Sequence, residues 1–243
     1  MTSNFLYHVR AYATNSAGTA YGNTLDFMTD FICENQLIDQ RDGKTYQTKQ
    51  YGIQCWMTAN LNIGMKIDGS ADQKNDGEIE KYCYDNNEVN CDVYGGLYQW
   101  DEMMQYTTVE RSQGICPAGW HIPSDPEWKI FEIWLGMTPE AADSTQWRGS
   151  DEGGKLKAKG TSYWVSPNTG ATNSTLFTAL PTGDRTSEGT FEGLGSMTDY
   201  WTSSLIIDTH IFYRYLDATH SQIYRVDGFK QYATPVRCIK NQK

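Results

Sequence analysis

Long hydrophobic runs are missing from this 243-residue chain, and no apolar stretch is long enough to read as a bilayer span. Positive charge is scarce: 20 Lys and Arg stand against 30 Asp and Glu, a net charge of −10. No basic cluster occurs, so the phosphate-covering surface that nucleic-acid binding requires is excluded. Histidine is limited to His8, His121, His210 and His220, with no H-x-x-H or H-E-x-x-H spacing for zinc or iron. There is no C-x-x-C pair, no G-x-S-x-G nucleophile elbow, no P-loop and no G-x-G-x-x-G fingerprint. Residues 1–8 lack the apolar core of a signal peptide, so the expectation is a cytosolic protein or a piece of something longer.

What is present points to β-structure. The chain has 22 Gly, 16 Tyr and 8 Trp, and a mean hydropathy of −0.61. That mix favours strands, turns and aromatic packing over a helical bundle, around a core with few aliphatics. Six cysteines (Cys33, Cys55, Cys83, Cys91, Cys116, Cys238) form an even set that fits three disulfides and an oxidising compartment. Counting alone leaves all 15 or so connectivities open.

Residues 5–13 alternate as a strand, Asn15-Ser16-Ala17-Gly18 supplies a turn, and Tyr21 to Met28 reads as the returning strand. A lone hairpin of this kind is marginal in water and needs something to pack on. From Cys33 the pattern changes to short strands around Asp42-Gly43 and Gln54–Met57, then an acidic loop over 64–92. The spacing of Leu97, Trp100, Met103 and Met104 predicts a short helix near 97–107. Ser124-Asp125-Pro126-Glu127 is a capping box opening a second helix, with Trp128, Phe131, Trp134 and Leu135 expected inward and Gly136 as terminator. After Lys159 the chain reads as short strands and turns.

Residues 7–23 resemble the last two strands of a fibronectin type III-like domain of bacterial surface proteins, which implies a boundary after residue 30. Five further segments carry a second resemblance: Asp39–Tyr46, Gly52–Leu61, Tyr94–Trp100, Gly114–Trp128 and Pro235–Cys238. Together they look like the Fibrobacter succinogenes major paralogous domain family, over roughly residues 33–241 and assigned here to a domain of 31–243. The resemblance implies an α+β, C-type lectin-like fold with short mixed and antiparallel sheets, two helices and long loops. It also implies that the first and last strands pair, and that the disulfides are Cys33–Cys55, Cys83–Cys91 and Cys116–Cys238. Gly119-Trp120-His121-Ile122-Pro123-Ser124 is similar to a segment of formylglycine-generating enzymes. Their late cysteine pair is missing, since Cys238 is alone in that half, so the chain is not expected to be an enzyme of that kind. His121 is read as a structural residue of this segment.

No cofactor is expected. Sugar-binding C-type lectins hold calcium through carboxylate-bearing triplets, and the corresponding Ser166-Pro167-Asn168 and Trp201-Thr202-Ser203-Ser204 lack the carboxylates. The acidic loop (Asp68, Asp72, Asp76, Glu78, Asp85, Asp92) could hold a structural cation, but it reads first as a solvated loop.

Residues 205–232 are the anomaly. Scaffold-like positions such as Trp201, Tyr213, Arg214, Tyr224 and Arg225 alternate there with side chains of every type, where the family usually carries Asn, Ser and Gly. Apolar and aromatic residues on an expected loop surface mark a contact site. The candidate ligand-binding residues are Leu205, Ile207, Asp208, His210, Phe212, Asp217, His220, Gln222, Val226, Asp227, Phe229 and Tyr232. In some C-type lectin folds this region is rewritten by diversity-generating retroelements that mutate template adenines, and many of these residues are reachable from an Asn codon that way. The competing reading is drift on strand faces, with Leu205 or Ile207 filling core. The functional expectation is a non-catalytic, extracellular recognition module for a protein or glycan, with a structural module of a surface appendage as the alternative.

Overall fold

A computed structural model describes residues 6–28 and 32–242. The domain boundary expected after residue 30 falls outside the described residues. Residues 6–28 form one antiparallel hairpin in two ladders, Leu6–Val9 with Leu25–Met28 and Tyr12–Asn15 with Gly18–Tyr21. Between them Arg10-Ala11 opposes Gly22-Asn23-Thr24, an irregularity bridged by the Gly22 N–H donating to the Ala11 carbonyl. Gly18 completes the tight turn at φ +138°.

Residues 32–242 combine short helices with three four-stranded sheets. The first orders Trp120–His121, Ile239–Lys240, Gln54–Met57 and Thr48–Tyr51, and the second Leu97–Gln99, Ala233–Pro235, Thr182–Arg185 and Phe191–Leu194. The third, here the late sheet, orders Gln146–Arg148, Ile223–Phe229, His210–Asp217 and Met197–Ile207. The last strand pairs with an early one, Ile239 opposite Trp56, while the earlier Leu37–Ile38 pairs locally with Thr45–Tyr46. Two ends of the domain are thereby joined, although the early partner is Gln54–Met57 and not the very first strand.

All three expected disulfides are present: Cys33–Cys55, Cys83–Cys91 and Cys116–Cys238, with Cα separations of 5.8, 5.0 and 5.9 Å. The third closes a separation of 122 residues. The core is aromatic where the composition predicted: Trp56, Trp128, Phe131, Phe177 and Tyr200 pack together, with Trp56 and Trp128 edge-to-face at 4.8 Å.

The helix of Asp125–Leu135 starts as read. Ser124 Oγ accepts from the Glu127 N–H, Glu127 Oε2 accepts from the Ser124 N–H at 2.9 Å, and Gly136 stops the helix at φ +119°. Trp128, Phe131 and Leu135 are buried, but Trp134 is not. Six residues on from Trp128, at about 100° per residue, it lies well off the buried stripe; it covers Gly52 and Tyr51 instead. The expectation of two helices was too low. Glu88–Tyr94, Pro139–Asp143 and Glu152–Leu156 are also helical. The helix expected over 97–107 is reduced to Trp100–Met103, because Leu97–Gln99 is recruited as a strand opposite Ala233–Pro235. Sheet pairing there overrides the helical spacing of the apolar residues. The 64–92 loop likewise contains short strands at Met65–Lys66 and Glu80–Lys81 and the start of the Glu88–Tyr94 helix.

Candidate functional site

The late sheet has two faces that differ in kind. On one, Tyr200, Arg214 and Arg225 lie in cross-strand register and turn toward the Asp125–Leu135 helix. Arg214 donates to Asp125 at 2.5 Å and to Glu132 at 2.8 Å, Arg225 to Asp125 at 2.8 Å, and Arg148 to Glu132 at 2.8 Å. All five charges are buried. Burial alone pushes the Asp125 carboxyl up; Arg225 and Arg214 more than reverse it and hold the group well below the usual carboxylate range. This network fixes the sheet to the helix.

The opposite face carries two cross-strand rows, Trp147–Tyr224–Tyr215–Asp199 and Val226–Tyr213–Trp201. Trp147 and Tyr224 lie 5.0 Å apart, Tyr224 and Tyr215 6.1 Å, and Tyr213 meets Trp201 edge-on at 5.3 Å. Trp147, Tyr224, Tyr215 and Tyr213 are all half-buried, so the rows form an aromatic surface that solvent reaches. Gly228 lets the second row lie flat: a Cβ there would stand 2.7 Å from Tyr213 Cε1 and 3.2 Å from Trp201 Cη2.

Where these rows approach the second sheet, a cavity of about 410 Å³ opens. Its floor holds Asp199 and Trp201, with Asp184 and Glu192 from the facing sheet and Phe229 and Tyr232 at its margin. The two sheets are joined beside it by Thr182 Oγ1 and Thr198 Oγ1, 2.9 Å apart. Asp184 and Asp199 face one another, and neither Oδ1 meets a donor; the buried Trp201 indole N–H lacks an acceptor. Burial first, then the charge of Glu192, pushes the Asp184 carboxyl up to about 7, against a smaller opposing effect of Asp199. Asp199 is raised well above the usual carboxylate range by burial and by Asp184 and Glu192. A larger groove of about 520 Å³ runs past Lys44 and Arg237, but its cations are spent on the chain itself. Arg237 donates to Asn60 and to the Phe177 and Thr178 carbonyls, and Lys44 to the Asn62 carbonyl.

None of the twelve residues singled out between 205 and 232 is fully buried, yet they do not form one patch. Ile207 and Asp208 stand exposed at the tip of the long hairpin, where the rings of His210 and Phe229 lie 4.4 Å apart. Leu205 leans into the core, and Phe212 lies under the Arg225 guanidinium at 3.9 Å on the helix-facing side. Val226 belongs to the second aromatic row, while Asp227, Phe229 and Tyr232 reach the cavity. Asp217, His220 and Gln222 sit at the other end of the strand, roughly 23 Å away at about 3.3 Å per residue. There His220 stacks on Trp147 at 3.7 Å and bonds Asp217 at 2.9 Å. Buried Lys157 ties that corner to the body by donating to the carbonyls of Thr169, Asp217 and His220.

Sequence reasoning missed Asp184, Glu192 and Asp199, and took Trp201 and Tyr213 for scaffold. A signal existed: Asp199 is a carboxylate inside an aromatic strand, a setting that strands disfavour. His121 has a structural setting, buried between Glu127 at 2.9 Å and Asn241 at 2.6 Å. Asn168, the nearest counterpart of a calcium-binding triplet residue, gives its amide to the carbonyls of Ala158 and Gly160. Among the described residues no three acidic, histidine or cysteine side chains are grouped to hold a metal ion. In the acidic loop Asp68 is engaged by Ser70 and Asp72 by Gln99 and Arg185. Among the described residues no helix is long and apolar enough to cross a membrane.

The architecture and site define a disulfide-linked α+β domain with an aromatic sheet face opening on an acidic cavity. The family model for the Fibrobacter succinogenes major domain matches residues 50–240, so the chain belongs to that family. The matched span contains both facing sheets and the cavity between them. No curated protein and no solved structure matches the chain.

Proposed function

We propose that this chain is a non-catalytic recognition module of a bacterial surface protein, exposed outside the cell, that binds a protein or glycan on the aromatic face of the late sheet. The observation that carries this reading is the contrast between the faces. One is locked to a helix by buried ion pairs. The other leaves an ordered aromatic row open to solvent and leading into a cavity. Half-buried Tyr and Trp rings supply rigid amphipathic contact area at low entropic cost. Three disulfides fit an oxidising compartment outside the cell.

On this reading the fold is C-type lectin-like, and residues 205–232 are the part that varies among sibling proteins, through a diversity-generating retroelement. The exposed or half-buried setting of the twelve positions suits that role, because none of them supplies a charge to the helix-facing network, although Phe212 packs under its Arg225. The hairpin of residues 6–28 is the end of a fibronectin type III-like spacer. The test is a glycan and surface-protein array probed with the chain and with Trp147→Ala, Tyr215→Ala and Tyr224→Ala. Specific binding lost in those variants, with stability retained, supports the reading. Binding that survives all three overturns it.

A further inference from the structure

Among the described residues the buried carboxylates other than Asp184 and Asp199 meet a cation or accept from neutral donors, as Glu102 does from the Glu80 N–H and Tyr106. Asp125 and Glu132 meet arginines, Asp39 meets Arg41 at 2.6 Å, and Glu127 meets His121 and Arg111 at 2.9 and 3.0 Å. Asp184 and Asp199 break the pattern. Each is more than nine-tenths buried and lines the cavity, each has a buried oxygen that no donor reaches, and no Lys, Arg or His lines that cavity. With no cation beside them the two acids are held protonated well above the usual carboxylate range, and a cation entering the cavity would take the place of that proton, so the pair stands as half of an ion-pairing arrangement.

Two features define the missing half. The carboxylates are not grouped as a metal site, and a hard divalent ion takes six or more oxygens. The lining is aromatic beside the acids, with Trp201, Tyr213, Phe229 and Tyr232. Such a lining attracts an organic cation through its ring faces and covers the methylene stem that carries it. We propose that this cavity takes an alkylammonium or guanidinium group, the end of a Lys or Arg side chain of a partner protein. The Trp201 indole N–H then serves an oxygen of the same partner. This rests on the recognition reading above, and it narrows the ligand to a basic protein surface, in keeping with the net charge of −10.

The test is a titration of the 15N-labelled protein with n-butylguanidinium, n-butylammonium, n-butanol, glucosamine and calcium chloride. The readout is the Trp201 indole resonance, assigned by Trp201→Phe. Saturable shifts with the two butyl cations, about tenfold weaker in Asp184→Asn/Asp199→Asn, are the expected result. n-Butanol binding as well as the cations, glucosamine binding more tightly than both, or calcium saturating the site first would each overturn the proposal. So would unchanged cation affinity in the double Asn variant. The wild-type comparison of cation with alcohol stands even if that variant does not fold. Array binding that depends on Trp147, Tyr215 and Tyr224 but persists in Asp184→Asn/Asp199→Asn would defeat this inference and leave the recognition reading in place. Cation binding with an empty array would do the reverse.

Discussion

Arg214, on an inner strand of the late sheet, donates from Nη1 to the Asp125 carboxylate in the first turn of the long helix at 2.5 Å. Asp125 also receives Arg225, and Arg214 also reaches Glu132, so one buried cluster settles how the sheet lies on the helix. The opposite face then needs no ion pairs of its own and is free to carry aromatic side chains.

Arg214→Met removes one cation from two buried carboxylates. It is expected to cost about 3–5 kcal/mol at pH 7, because the acids remain buried without their partner. The Asp125 carboxyl is held below its unfolded value, so its contribution is complete above about pH 4 and is lost as pH falls toward the folded value. The deficit of the variant is therefore expected to shrink below about pH 4. Urea unfolding at pH 7 and pH 3 measures both effects.

Asp184→Asn is expected to act in the opposite direction. The folded carboxyl titrates at about 7 against 3.8 as the reference, so between those values the folded state holds a proton that the unfolded state has lost. Stability falls as pH rises through that window, and the substitution removes the loss. A gain on the order of 2 kcal/mol at pH 8, vanishing near pH 4, is the expected outcome in thermal or urea unfolding.

The disulfides should contribute unequally. Replacing Cys116 and Cys238 by Ser opens a closure of 122 residues and is expected to cost about 5 kcal/mol in the chain-entropy picture. Replacing Cys83 and Cys91 opens a separation of 8 and is expected to cost about 2.5 kcal/mol. Paired unfolding curves of the two double variants check the order.

Local rules were legible where a motif acts over a few residues. The Ser124–Glu127 capping box and the Asn15–Gly18 turn both appear where the chain spells them, because each is satisfied by neighbours in sequence. The disulfide pairing came from the family resemblance, since spacing alone left it open. Leu97–Gln99 was illegible as a strand because its partner, Ala233–Pro235, lies more than 130 residues on. The Glu152–Leu156 helix contains Gly153 and Gly154, poor helix formers whose use is steric: a Cβ on either would stand 2.2 Å from a carbonyl oxygen, of Gln222 or Gly170. The site was half legible. Residues 205–232 fall largely on the late sheet, but alternation along a strand sends neighbours to opposite faces, and Phe212 went to the helix side. Asp184 and Glu192 come from a different sheet, brought to Asp199 only by the packing of the two.

The open aromatic face is tested most directly by one binding measurement. A partner captured on the array is titrated calorimetrically against the wild-type chain and against Tyr215→Ala/Tyr224→Ala, whose unfolding midpoint is determined alongside. The account predicts at least about a tenfold loss of affinity, near 1.4 kcal/mol, with the midpoint little changed. Undiminished affinity in a folded double variant would contradict it.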